Sequence, residues 1–264
     1  MDERTIDDAT ADALAVRLIR ATRTATAIPP LTAERPGLTP ADAYAIQRRV
    51  VADRTAAGET VIGWKLGLTS AAMQTQLGVD QPDYGPILSG SMVASGATLP
   101  AAAFIAPRVE AEIAVILGQA LSGPVSPAEV LEAIVGVCAA IEVIDSRITD
   151  WKITLADTIA DLASSARVVR SDRVLPLEGF EPRLIGCLLE RDGTVLASGA
   201  GAAALGDPLA AVAWAAATLG RLGVTMEAGA LIMTGALHAS LPARAGDTFT
   251  ARFDRLGSLS VSFA

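Results

Sequence analysis

Apolar residues recur at helical spacing behind a capping signal at three places in the chain. Thr39 is placed to cap a helix whose first position is Pro40 and whose first turn carries Asp42. Ala43, Ile46 and Val50 then form one stripe until Gly58 stops it. "SPAE", Ser126 to Glu129, is a capping-box pattern ahead of Val130, Leu131, Ile134 and Val135. Asp207-Pro208 opens a helix over Leu209 to Leu222, which Gly223 ends. A further helix is expected over roughly residues 6 to 24, joined to the next by the Pro-containing link "AIPPLTAERPGL".

The remaining pattern has the period of strands. "VIGWKLGL", "RVEAEIAVIL" and "AAIEVIDSR" read as strands, and "LIGCLLERDGTVLASG" as a hairpin turning at Asp192-Gly193. "DTFTARFDRLGSLSVSF" alternates around Leu256-Gly257 as a second hairpin. Strands outnumber helices and hairpins connect many of them. The expected class is therefore a β-rich α+β domain with its helices outside, not a doubly wound parallel sheet.

Composition narrows the function. At 264 residues and 51% hydrophobic, the chain has material for a core without staples. A formal net charge of −8 argues against nucleic acid and against an anionic membrane surface. Cys138 and Cys187 lie far apart in apolar settings and read as buried free thiols, which suits a reducing cytoplasm. The acidic start "MDERTIDDAT" is unlike a signal peptide, and no apolar run approaches the roughly 18 residues of a membrane span. A cytoplasmic location is expected.

The stretch "PRVEAEIAVIL", residues 107–117, carries the chemistry. Alternation puts Val109, Ala111, Ile113 and Val115 on one face of a strand. Glu110 and Glu112 then stand together on the other, roughly 7 Å apart at about 3.3 Å rise per residue. A third acid, Glu142, lies in the apolar run "AAIEVID". Three carboxylates on neighbouring strands need a compensating cation, and a hard divalent ion such as Mg²⁺ or Mn²⁺ suits oxygen ligands. No Cys or His cluster supports zinc.

Other candidates have ordinary readings beside the functional one. Lys65 in "GWKLGLTS" sits in an apolar strand and can also snorkel to the surface. Asp80 and Asp83 in "GVDQPDYG" fall in a Pro- and Gly-containing loop, where aspartates often form turns. "DLASSARVV" and "MTGALHAS" look loop-like and polar, offering Ser164, Ser165 and Thr234. His238, the single histidine, reads as a structural or supporting residue. With no G-x-S-x-G, no G-x-G-x-x-G and no P-loop, a serine-hydrolase elbow and a nucleotide cofactor have no support.

Four stretches, "VIGWKLGLTSAAMQTQLGVDQPDYGPIL", "PRVEAEIAVIL", "AAIEVIDSRITDWKITLADTIADLASSA" and "MTGALHASLPARAGDTFTARFDRLGSLSVSF", resemble the 2-keto-4-pentenoate (2-hydroxypenta-2,4-dienoate) hydratases of the fumarylacetoacetate hydrolase superfamily. The resemblance runs from about residue 10 to 264. It implies a mixed β roll with helices packed outside. Residues 1–60 would form a helical region on the core, and residues 61–264 the catalytic domain, in one continuous unit. It also implies that Glu110, Glu112 and Glu142 hold Mg²⁺ or Mn²⁺, and that Lys65, Asp83 and Ser164 are catalytic. Ser165, Thr234 and Gly235 are then substrate-binding.

The implied reaction hydrates 2-hydroxypenta-2,4-dienoate to 4-hydroxy-2-oxopentanoate in meta-cleavage aromatic catabolism. The implied assembly is a homo-oligomer, a pentamer or decamer, that associates with a decarboxylase or aldolase of the same pathway. Alternatives within the superfamily are a 4-oxalocrotonate decarboxylase, a dicarboxylate hydratase and a C–C hydrolase. One departure stands out. The usual pattern reads A-D-N-A-S-S, whereas this chain has "ADLASS" with Leu162 at the Asn position. Leucine cannot supply the amide's hydrogen bonds. The change bears on activity if that Asn orients substrate, and on nothing catalytic if it is structural. It also admits a third reading, a partner subunit with little turnover of its own.

Overall fold

The computed structural model describes residues 3–70, 74, 75, 79 and 81–264. In chain order its strands are β1 (Val61–Gly67), β2 (Asp83–Leu88), β3 (Met92–Val93), β4 (Ala97–Leu99), β5 (Arg108–Leu117), β6 (Ile134–Ile144) and β7 (Ser165–Arg170). There follow β8 (Gly186–Arg191), β9 (Thr194–Ala200), β10 (Leu231–Ala236), β11 (Leu241–Pro242), β12 (Thr248–Phe253) and β13 (Gly257–Phe263). The larger sheet runs β2-β1-β10-β5-β6-β7-β3, with β11 also paired to β5. The smaller runs β4-β13-β12-β8-β9. Both are mixed: β1 with β10, β3 with β7 and β4 with β13 are parallel pairs.

The sheets pack through one core because their central strands alternate. Val109, Ala111, Ile113 and Val115 of β5 and Val137, Ala139, Ile141 and Val143 of β6 are all fully buried in it. Phe249, Ala251 and Phe253 of β12 meet them from the smaller sheet. Leu209, Val212, Ala215 and Leu219 of the helix Pro208–Gly220 enter the same core. The opposite face of the larger sheet has a small apolar patch, with Ala114, Cys138, Ala140 and Met233. The charged site is built next to it. Cys138 and Cys187 are both buried and unpaired.

The expected caps form. Thr39, Ser126 and Asp207 each accept a backbone N–H at a helix start, the first two as full capping boxes. Such a cap is worth roughly 1 kcal/mol. The first helix spans Asp8–Thr24. Both hairpins form, and Asp192 and Gly193 take the paired positive φ values of a two-residue turn.

Four expectations are corrected. The helix opened by Ser126 stops at Ala133, and Ile134 and Val135 begin β6, where Ile134 pairs with Leu117 of β5. "DLASSARVV" and "MTGALHAS" are not plain loops: they supply β7 and β10. Asp83 opens β2 and does not sit in a loop, whereas Asp80 lies outside the described residues. Residues Gly201–Gly220 together do reach the length and hydropathy of a membrane span, but Asp207 divides them into a short turn and a capped helix whose apolar face is buried.

A second apolar cluster joins the helices Asp8–Thr24 and Pro40–Ala56 to the helix Leu155–Ala160, and it includes Leu162. Gln47 fixes this layer to the sheet. Its amide donates to the Tyr84 carbonyl at 3.0 Å and to the Ile159 carbonyl at 2.8 Å. Asp157 does the same for the link, accepting from Thr32 N at 3.1 Å and Thr32 Oγ1 at 2.6 Å.

Candidate active site

Glu110 and Glu142 are direct cross-strand partners, and Glu112 follows Glu110 on the same face of β5. One carboxylate oxygen from each of the three lies within 4.8 Å of the others. Glu112 and Glu142 are fully buried, and Glu110, half-buried, lines a cavity of about 500 Å³. Gly235 N donates to Glu112 Oε2 at 2.8 Å. Its φ of +108° turns that amide toward the carboxylate, and a Cβ there would stand 1.8 Å from Thr69 Oγ1. Glycine is therefore required. Glu112 Oε1 and both oxygens of Glu142 have no hydrogen-bond donor.

Lys65 projects from β1 onto the same face. Its Nζ lies 3.3 Å from Glu142 Oε2 and donates to the Ala163 carbonyl at 2.9 Å. Burial alone would lower this ammonium's pKa, but the fields of Glu142, Asp83, Glu110 and Glu112 outweigh it and hold the pKa above the ordinary lysine value. Asp83 pairs with Gly67 across β1 and β2, and its Oδ1 is buried without a partner. Burial raises its pKa, with Lys65 acting against the rise. A Cβ on Gly67 would lie 2.0 Å from Asp83 Oδ1, so this glycine makes room for the acid.

Burial pushes Glu110 up to about 7, and burial reinforced by Glu142 and Glu110 holds Glu112 well above the carboxylate range. A lone lysine does not balance so many acids. Orphaned oxygens, raised pKa values and an all-oxygen donor set together fit a hard divalent cation.

The wall is a strained turn. Leu162, Ala163 and Ser164 take φ values of 56°, 50° and 58° in succession, a left-handed run costing roughly 1–2 kcal/mol per residue. It presents the Ala163 carbonyl to Lys65 and the unpartnered Ser164 Oγ to the cavity. Strain of this kind persists only where its surroundings enforce it.

Lys65, Asp83, Ser164 and Glu110 all line the cavity, and Glu110 connects it to the buried Glu112 and Glu142. Thr234, Gly235 and Ser165, expected as substrate contacts, are placed as follows. Thr234 is fully buried, donates its hydroxyl to the Ile113 carbonyl at 2.8 Å, and braces β5 without lining the cavity. Gly235 serves Glu112 through its amide. Ser165 faces a separate cavity of about 120 Å³, shared with Leu162 and Arg147. Leu162 is buried in the helical cluster and does not line the reaction cavity.

His238, the single histidine, lines the reaction cavity. The Ala111 N–H points to Nε2 at 3.3 Å and Nδ1 lies 2.9 Å from the Ala239 carbonyl, so a neutral ring joins the segment after β10 to β5 between the two glutamates. Burial keeps its pKa below the ordinary histidine value.

The cavity also holds Arg108, Trp151 and Thr158, which the sequence reading did not single out. Arg108 was accessible to the alternation rule, since it precedes Glu110 by two positions. Trp151 was not, because it sits in a left-handed turn, φ 55°, that no local pattern marks.

The profile described as fumarylacetoacetate (FAA) hydrolase C-terminal matches residues 61–264, and the chain belongs to that family. Its mixed sheets with helices outside are the fold of that class. Within the family it is similar to the 2-keto-4-pentenoate hydratase of Burkholderia vietnamiensis strain G4, 42% identical over 97% of this chain and 98% of the relative. It is also similar to a 4-oxalocrotonate decarboxylase of Pseudomonas putida, 38% identical over 98% of this chain and 99% of that one. A solved 4-oxalocrotonate decarboxylase from Pseudomonas putida G7, complexed with magnesium and adipate, has a TM-score of 0.96 at 37% identity, covering 99% and 100% of the two chains.

Proposed function

We propose that this chain is a divalent-metal-dependent hydratase converting 2-hydroxypenta-2,4-dienoate, by way of 2-oxopent-3-enoate, to 4-hydroxy-2-oxopentanoate. The observation that carries the reading is the orphaned glutamate cluster lying under Lys65 and Asp83, in a chain 42% identical to a 2-keto-4-pentenoate hydratase. Glu110, Glu112 and Glu142 would hold Mg²⁺ or Mn²⁺. When bound, the ion supplies Lewis-acid stabilisation of negative charge on the substrate's C2 oxygen.

The protein's own groups divide the proton work. Lys65, clamped by Glu142 and the Ala163 carbonyl, keeps its proton and serves as a fixed positive charge beside the developing enolate. Asp83, which lines the cavity beside Lys65, is assigned the acid–base role and begins the cycle protonated. It gives its proton to C5 as the enol hydroxyl releases one to solvent, leaving the ketone and a C3–C4 double bond; Asp83 recovers a proton from solvent at the end of the cycle. The resulting Asp83 carboxylate, faced by Lys65, takes a proton from water as the oxygen bonds to C4. That proton is returned at C3, and the product is the substrate plus one water. Ser164 Oγ is the free hydroxyl that holds a substrate oxygen in place.

A second reading, decarboxylation of 4-oxalocrotonate, is favoured by the fold match of 0.96 to such an enzyme. The same machinery would stabilise the dienolate left by loss of CO₂. One assay separates the two. The chain is mixed with freshly generated 2-hydroxypenta-2,4-dienoate, loss of the dienol absorbance is followed, and the product mass is read. Gain of one water, abolished by EDTA and restored by Mg²⁺ or Mn²⁺, is the expected result. No turnover of the dienoate, with CO₂ release from 4-oxalocrotonate, overturns it in favour of the second reading.

A further inference from the structure

We infer that Arg108 anchors the substrate carboxylate lying beside the three glutamates, and that the cavity consequently selects monocarboxylates over dicarboxylates. The inference builds on the reaction proposed above. Arg108 opens β5 two residues before Glu110, so alternation puts both side chains on one face, and both line the reaction cavity.

The guanidinium is held ready. Nε donates to Ser240 Oγ at 2.7 Å and Nη2 to the Ser240 carbonyl at 2.9 Å. Its carbon stands 5.7 Å from the centroid of the Trp151 ring, a cation–π distance. The ring is itself fixed: Trp151 Nε1 donates to the Ala106 carbonyl at 2.9 Å, and the left-handed pair Asp150 and Trp151 aims it. Two donors of the five on an arginine are thus engaged, and no carboxylate pairs with Arg108 among the described residues. A preorganised fork with unused N–H groups suits a carboxylate, which it can grip with little further loss of entropy.

Charge decides how many carboxylates the cavity takes. Among the described residues that line it, Lys65 and Arg108 are the only lysine and arginine. Lys65 is already engaged by Glu142 and the Ala163 carbonyl. Residues 71–80 contain neither lysine nor arginine. Once a substrate's C1 carboxylate holds Arg108, a second carboxylate finds no further lysine or arginine among the described lining residues to meet it.

The test uses the full chain with Mg²⁺ and 2-oxopentanoate, a saturated monocarboxylate that cannot be hydrated, with binding read by calorimetry for wild type, R108M and R108K. Mg²⁺ binding alone is measured in each as the control on folding and on the glutamates. In R108M, 2-oxopentanoate is expected to weaken about 10- to 100-fold, the worth of charge-assisted hydrogen bonds, while Mg²⁺ affinity stays within about threefold. R108K, which keeps the charge without the fork, falls between. Wild-type kcat/KM is expected to favour 2-hydroxypenta-2,4-dienoate over the dicarboxylate 2-hydroxymuconate.

Unchanged 2-oxopentanoate binding in both variants makes Arg108 a strut for the Ser240 loop and overturns the inference. Loss confined to the dicarboxylate also overturns it, because the arginine then reads the far end. Arg108-dependent binding without hydration would sink the proposed reaction and leave the anchor standing. Hydration with Arg108-independent binding would do the reverse.

Discussion

The two faces of β5 obey opposite rules. On one, Val109, Ala111, Ile113 and Val115 are fully buried among other apolar groups, and every neighbour favours the folded chain. On the other, Glu110 and Glu112 meet Glu142, and each carboxylate makes the empty site less stable. A fully packed inner face tolerates an outer one that opposes folding. It also holds the three acids in a register that repulsion would otherwise open.

Substitutions on the two faces should therefore separate stability from function. The largest effect is expected from Glu112→Gln. Turnover should be lost together with Mg²⁺ affinity, by well over the roughly 10- to 100-fold that even outer-shell partners contribute. In the metal-free protein the same change should raise Tm, because an acid that is costly to bury beside two others gives way to a neutral amide; calorimetry showing a lower Tm would contradict the account of this face. Asp83→Asn comes next: Mg²⁺ binding is retained and the hydration rate falls by about 10²- to 10⁴-fold, as for loss of a general acid–base. An unchanged rate removes Asp83 from the mechanism.

On the inner face, Ile113→Ala should lower unfolding free energy by about 2–5 kcal/mol while Mg²⁺ affinity remains within about threefold. Denaturant titration beside metal titration reads both. A pH series sharpens the contrast further. With Glu110 pushed up to about 7, the metal-free site holds a proton below that pH, and the cation must displace it. Mg²⁺ affinity should thus fall as pH drops below about 7, roughly tenfold per unit for each proton released, and a flat profile would refute the raised carboxylates. The smallest catalytic effect is expected from Leu162→Asn. Asparagine tolerates the left-handed conformation but buries an amide among apolar residues, so Tm should fall while kcat shifts by no more than about threefold.

What could be read from the chain follows the same division. Alternation along "PRVEAEIAVIL" was enough to place Glu110 and Glu112 on one face, because strand geometry leaves a side chain only two directions. Cap residues at Thr39, Ser126 and Asp207 located three helix starts, because a local hydrogen bond defines each. The wall of the cavity was less legible. Polar spellings such as "DLASS" and "MTGALHAS" suggested loops, whereas tertiary pairing drew Ser165 into β7 and Thr234 into β10. Thr234, Ser164 and Ser165 are all small hydroxyl residues, and only the folded chain shows that one braces a strand, one faces the reaction cavity and one faces another cavity.

Gln47 gives the first sixty residues a standing that the family profile, starting at residue 61, does not suggest. Its amide ties the helix Pro40–Ala56 to the backbone of Tyr84, next to Asp83, and to Ile159, three residues before the left-handed turn. In modular terms, a fusion or shuffling event cutting at residue 60 would remove Gln47, and with it the two hydrogen bonds that tie the helical layer to the backbone beside Asp83 and ahead of the left-handed turn.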